Sequence, residues 1–189
     1  ITVAGGTVYS NTHKLGFSES EWVIIRNIIK LYFEKRDVWT KFVKYLQRIS
    51  KKDGEKVGER LWIEAPATLN VDGKTFSANA DIMSELEKAG AIADFYFSKK
   101  DNKVEFRYKS SEIANLLVNE GVWLELIIYF TVKNSEAFTD SDTGVKFIWD
   151  ITDSGNSLSS LLSDNTPRNE VDVMAVRGIK PIFISCKTR

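Results

Sequence analysis

Two short apolar runs near the end of the chain, joined by a tight turn, constrain the fold more than any other feature. Val171-Asp172-Val173-Met174-Ala175-Val176 and Pro181-Ile182-Phe183-Ile184-Ser185-Cys186-Lys187 flank the turn Arg177-Gly178-Ile179-Lys180. Such runs suit a pleated sheet, and a glycine turn between them predicts an antiparallel hairpin. Strands in the core of a mixed sheet are apolar on both faces, so Asp172 and Lys187 are costly placements unless they are paired or bind something. The hairpin lays Asp172 near the Ser185 to Lys187 end. Glu170 and Asp172, two apart, share one strand face. Glu125 stands within Val122 to Phe130, a helical run apolar nearly all round, and adds a third carboxylate. Oxygen ligands of this kind suit Mg²⁺ or Mn²⁺, ions that catalyse phosphoryl transfer by activating water and neutralising phosphate charge. A lysine beside them would orient or deprotonate the attacking water or stabilise developing charge. Pattern alone equally admits a buried structural ion pair between Asp172 and Lys187.

Composition narrows the alternatives. With 189 residues, 43% hydrophobic, the chain can bury a real core as one large domain or two small ones. Its 26 Lys and Arg cancel 26 Asp and Glu, so any binding to nucleic acid must use a local patch. A single Cys186 excludes an internal disulfide and a cysteine zinc site, and the lone His13 excludes multi-histidine metal sets. No apolar run approaches the roughly 18 residues of a membrane helix, and Ile1 to Gly6 lacks the regions of a signal peptide, which makes a reducing cytoplasm the expected setting. The absence of an initial Met, and an end directly after a strand-like run, lead us to expect part of a longer polypeptide.

Three segments are expected along the chain. Residues 1–60 read as a helical and linker segment: apolar residues from Trp22 to Leu46 recur at three- and four-residue steps, Ser18 or Ser20 offers an N-cap, Arg36-Asp37 a break, and Lys51 to Arg60 is a charged connection. Trp22, Trp39 and His13 are read as packing or surface residues. Residues 61–109 carry two short strands around Asp72-Gly73, a helix over Ala78 to Lys88 ending at Gly90, and a hairpin of Ala93 to Phe97 with Val104 to Tyr108. Helix followed by basic hairpin resembles a winged-helix module. Its Lys99, Lys100, Lys103, Arg107 and Lys109 read either as a phosphate-contacting wing or as a solvated turn. Residues 110–189 hold the helices around Glu125, a strand from Val145 to Ile151 and the closing hairpin.

Asn169-Glu170-Val171-Asp172-Val173 followed by Pro181 to Lys187 resembles the C-terminal nuclease signature of the CRISPR-associated CARF nucleases, a branch of the PD-(D/E)xK restriction-endonuclease-like superfamily. Trp123-Leu124-Glu125 is similar to a Trp-Leu-Glu element on that branch's first core helix. The resemblance covers roughly Ser110 to Arg189, with a winged-helix-like insert before it. It implies an α/β, restriction-endonuclease-like mixed-sheet core in which Asp172 binds metal, Lys187 is the motif lysine, Glu125 is the helix-borne acid and the Cys186 carbonyl is a further ligand. Ser185 stands where the general motif has an acid, as in a Ser-Cys-Lys variant of the branch, so Glu125 or Glu170 would supply the second carboxylate. Cys186 itself reads as a packed residue, since no histidine stands ready to activate it.

The family implies metal-dependent endonuclease action on DNA, RNA or both, within CRISPR type III antiviral defence. A sensor domain there binds a cyclic oligoadenylate, commonly cyclic tetra-adenylate, in a homodimer. Ile1 to Ser50 is too short and too helical for that sensor. Rival readings are a DNA-binding regulator using the wing and an inactive nuclease-like scaffold.

Overall fold

The computed structural model describes residues 2–3, 6–11, 17–51, 58–149 and 169–186. In chain order the elements are β1 (Thr2–Val3), β2 (Gly6–Asn11), α1 (Glu19–Glu34), α2 (Arg36–Ser50), β3 (Trp62–Pro66), β4 (Thr68–Val71), β5 (Lys74–Ser77), α3 (Ala80–Lys88), β6 (Ile92–Ser98), β7 (Lys103–Tyr108), α4 (Ser111–Val118), α5 (Glu120–Lys133), β8 (Asp140–Trp149), β9 (Asn169–Arg177) and β10 (Lys180–Ile184). They form two compact units, Gly16–Trp123 and Ile1–Leu15 with Leu124–Arg189. This division differs from the expected boundaries near residues 60 and 110. Helices with antiparallel sheets make it a mixed α/β protein.

In the unit Gly16–Trp123, α1 starts where Ser18 and Glu21 form a reciprocal capping box, satisfying first-turn N–H groups that have no partner within the helix. The helix breaks at Lys35, one residue before the expected Arg36. Ile25, Ile28, Val43, Tyr45 and Leu46 from these helices are buried, as are Ile82, Met83 and Leu86 of α3, Phe106 and Tyr108 of β7 and Ile113 and Leu117 of α4. Burying each large apolar side chain is worth about 1.5–3 kcal/mol. Trp39 is likewise buried, set edge-on against Trp123 at 5.6 Å between ring centroids, and Trp22 meets Phe17 at 5.3 Å. Both tryptophans therefore pack, as expected, while His13 lies outside the described residues.

Positive φ at Asp72 (51°) and Gly73 (72°) turns β4 into β5, the geometry that an Asp-Gly pair favours. Asn79 accepts the Ile82 N–H to start α3, and Gly90 follows its end at φ 78°. The basic hairpin β6–β7 forms as expected and gains β3 in a three-stranded sheet of order β3-β7-β6.

The other unit holds a five-stranded sheet of order β1-β2-β8-β9-β10. Strands β8, β9 and β10 are neighbours, as the closing runs predict. Three features differ from expectation. Residues 1–60 are not simply helical, because β1 and β2 join this sheet; β2 pairs with β8, a partner remote in sequence that no local pattern announces. Every described pairing in the sheet is antiparallel rather than mixed. Strand β8 begins at Asp140, five residues before Val145: Asp140, Ser141, Asp142 and Thr143 pair with Val176, Ala175, Met174 and Val173, so cross-strand bonding overrides their polar character.

A further correction concerns β10. Among the described residues it is an edge strand, with Ile182 39% and Phe183 40% exposed. The premise that both closing strands are apolar core thus holds only for β9, where Val173, Met174 and Ala175 are buried. The expected strand end at Ile151 lies outside the described residues, and among those described no single helix is long and apolar enough to cross a membrane.

Candidate functional site

Asp172 lies on the inner strand β9, half-buried, directly before the buried stretch from Val173 to Ala175. Pairing of Ile184 with Val173 brings the end of β10 beside it. The regular ladder stops there, and the carboxylate takes over: Asp172 Oδ2 accepts the Cys186 backbone N–H at 2.5 Å and the Ser185 hydroxyl at 3.2 Å. Hydrogen bonds to a charged acceptor are roughly twice as strong as neutral ones, so this contact pins the end of the motif strand against β9. Oδ1 has no hydrogen-bond partner among the described residues. It is the oxygen available to a cation.

Register places further polar residues on the Asp172 face. Met174 stands opposite Asp142, and Glu170 opposite Lys146, while Gly144, at φ 54°, falls between the pairs Thr143–Val173 and Val145–Val171. Residues two apart share a strand face, so Asp142, Lys146, Glu170 and Asp172 belong to one side of the sheet. Sequence reasoning missed Asp142 because it reads β8 only from Val145 onward, and it missed Lys146, though inside that strand, because the register that sets it opposite Glu170 is not written in the local pattern. Glu125 sits half-buried on α5, in the same unit as β8 to β10. Cys186 is half-buried, and Lys187 lies outside the described residues. Among the described residues no group of three or more His, Cys, Asp and Glu side chains is placed to hold a metal ion. The described site offers a hard cation the open oxygen of Asp172, with the Glu170 strand position beside it.

Four of the five expected wing cations divide into two pairs. Lys103 Nζ bridges Glu64, at 2.8 Å, and Glu105, and these bonds, led by that to Glu105, hold its ammonium pKa above the ordinary value. Arg107 is paired with Asp94 at 2.7 Å. Lys99 and Lys100 stand exposed at the hairpin turn with no ion-pair partner among the described residues. Of the five cations expected on the wing, two are thus held by carboxylates, Lys99 and Lys100 stand at the tip, and the exposed Lys109 follows the end of β7.

No family model matches the chain, and no curated protein matches it. Among solved structures it is similar to protein VC1899 from Vibrio cholerae, with a TM-score of 0.56 and 17% identity over 98% of this chain and 41% of that one. Can2 from Sulfobacillus thermosulfidooxidans, determined in complex with cyclic tetra-adenylate (cA4), aligns over 88% of this chain and 37% of its own at 16% identity and a TM-score of 0.46. The likeness to VC1899 is one of fold. The chain spans about two fifths of the length of either protein, 41% and 37%.

Proposed function

We propose that this chain is the nucleic-acid-cutting part of a metal-dependent endonuclease, with Asp172 as metal ligand and Lys187 as the motif lysine. The observation that carries the reading is the bond from the Cys186 N–H to Asp172 Oδ2 at 2.5 Å, which sets the Ser185-Cys186 segment that follows β10 directly beside the aspartate. The ladder between β9 and the edge strand β10 is complete at Ile184 and does not need that bond. Asp172, with Glu170 on the same strand face and the carbonyl of Cys186, would hold Mg²⁺ or Mn²⁺; Glu125 is the alternative second carboxylate. When bound, such an ion polarises phosphate and lowers the pKa of water. Ser185 and the Cys186 N–H fix the orientation of Asp172, and the Lys187 ammonium stabilises charge on the phosphate or orients the nucleophile. Activation by cyclic tetra-adenylate, through a sensor domain as in the family resembled, and action as a homodimer in CRISPR antiviral defence in the cytoplasm, complete the proposal.

The test uses the whole polypeptide with labelled single-stranded and duplex DNA and RNA, Mn²⁺ or Mg²⁺, and cyclic tetra-adenylate. Cleavage is expected to need the divalent ion and to vanish in Lys187→Met with little change in melting temperature. Parental cutting by Lys187→Met, or cutting undiminished in EDTA, would refute it. The regulator reading is favoured by one observation, the unpaired Lys99 and Lys100 at the hairpin tip; it requires DNA binding in EDTA without cutting.

A further inference from the structure

Helix α2 presents Lys41, Lys44, Arg48 and, at its C-cap, Lys51 at spacings of three, four and three residues, which puts them in one exposed stripe. Strand β5 lies against this helix and adds Lys74 and the half-buried Phe76. Between them run two adjoining hollows of about 550 and 520 Å³ that share Lys44, Lys74 and Phe76. No Asp or Glu lines either hollow, and none of the five cations is ion-paired among the described residues. The contrast with Lys103 and Arg107, both held by carboxylates, is sharp. Cations near a helix C-terminus are favoured by the helix dipole, which accounts for Arg48 and Lys51. It does not reach Lys41 and Lys44 in mid-helix or Lys74 on a strand. Gathering like charges in one groove costs stability through self-repulsion, and a polyanion would offset that cost.

We propose that this groove binds the phosphodiester backbone of a single nucleic-acid strand, with Phe76 as a stacking platform for a base. The row from Lys41 to Lys51 spans about 15 Å at ~1.5 Å per residue, long enough to follow several successive phosphates of one strand. The Arg48 guanidinium lies 5.1 Å from the Phe76 ring centroid, so the two planar groups together form the surface on which single strands stack without sequence preference. A sulfated polysaccharide would use the charges but not the ring. The proposal deepens the nuclease reading by naming a single strand as the bound form, and it rests on that reading only for the cleavage step after binding.

Fluorescence anisotropy of short labelled single-stranded DNA and RNA, titrated with salt in EDTA, tests it on the whole polypeptide without cleavage. Lys44→Gln/Lys74→Gln is expected to weaken binding about tenfold and to reduce the slope of log affinity against log salt by about 0.7 per lysine removed. Lys41→Gln/Arg48→Gln should do the same, and circular dichroism melts check that these exposed substitutions leave the fold intact. Phe76→Ala should weaken oligonucleotide binding while leaving heparin binding unchanged. Parental affinity and slope in both double variants would overturn the groove. Equal binding of duplex and single strands, or indifference of oligonucleotide binding to Phe76→Ala, would overturn the single-strand assignment. Because no metal is present, these outcomes are independent of Asp172, and a failure of the nuclease reading shows separately as cutting by Asp172→Ala.

Discussion

The Ser110 hydroxyl donates to Glu21 Oε1 at 2.5 Å, across 89 residues of sequence, and so couples the first turns of two helices. The other oxygen, Oε2, accepts the Ser18 N–H and hydroxyl at 2.9 Å each, while Ser110 also accepts the Ile113 N–H that starts α4. One buried carboxylate therefore serves both N-termini, where negative charge is favoured.

Burial alone would raise the Glu21 pKa, but the bonds from Ser110 and Ser18 outweigh it and hold the group below the ordinary 4.5. A depressed carboxyl pKa stabilises the fold above the unfolded value, and that contribution is lost as pH falls through the lower folded value. Glu21→Gln should cost about 2 kcal/mol at neutral pH and flatten the acid limb of stability below pH 4.5, read from urea melts across pH. An unchanged acid limb in the variant would refute the role.

Tyr108 gives the opposite pH signature. Its hydroxyl is buried and hydrogen-bonded to Ser50 Oγ at 2.7 Å, and burial pushes its pKa above the ordinary 10.0. Tyr45, donating to the Pro66 carbonyl at 2.8 Å, is raised for the same main reason. A raised pKa contributes stability that is intact below the unfolded value and lost as pH rises from there toward the folded one. Melting temperature should fall steeply above pH 10, and less steeply in Tyr45→Phe/Tyr108→Phe. The slope removed is about 1.4 kcal/mol per pH unit for each tyrosine.

Asp172 allows anchoring and chemistry to be separated. Asp172→Asn keeps one oxygen that can accept the Cys186 N–H, whereas Asp172→Ala keeps none. Stability should drop by about 1–3 kcal/mol in the alanine variant and much less in the asparagine variant. Metal-dependent cleavage is expected to vanish in both. Full cleavage by Asp172→Asn would leave the residue a purely structural clasp.

At the hairpin tip, Lys99→Glu/Lys100→Glu should lower affinity for nucleic acid more than Lys103→Gln, because the Lys103 ammonium is already engaged by Glu64 and Glu105. Equal losses in the two variants would show that the ion pairs open for the ligand.

How far these features are legible depends on where their cause lies. The Ser18 cap, the Asp72-Gly73 turn, the Gly90 helix end and the closing hairpin are set by residues within a few positions of one another, and the sequence announces all of them. Strand β2 and the first half of β8 escape a local reading because a partner distant in sequence, not their own hydrophobicity, makes them strands. Asp172 stands out as a charge within an apolar run, and its closeness to Ser185 and Cys186 comes from the turn at Gly178. That Lys103 and Arg107 also engage Glu64 and Asp94 is invisible in the sequence, since cross-strand neighbours on β3 and β6 decide it; only Glu105, two residues from Lys103 on β7, is close in the chain.

The exposed rim of β10 has a practical consequence for handling the protein. Apolar side chains at Ile182 and Phe183 lie along a strand with one unpaired side among the described residues, and Ile179 is exposed in the turn before it, the sort of border onto which a foreign strand can add. Pro181, which has no N–H to offer, interrupts that border. Replacing it with valine would restore a continuous row of donors, and the variant should precipitate at concentrations the parent tolerates.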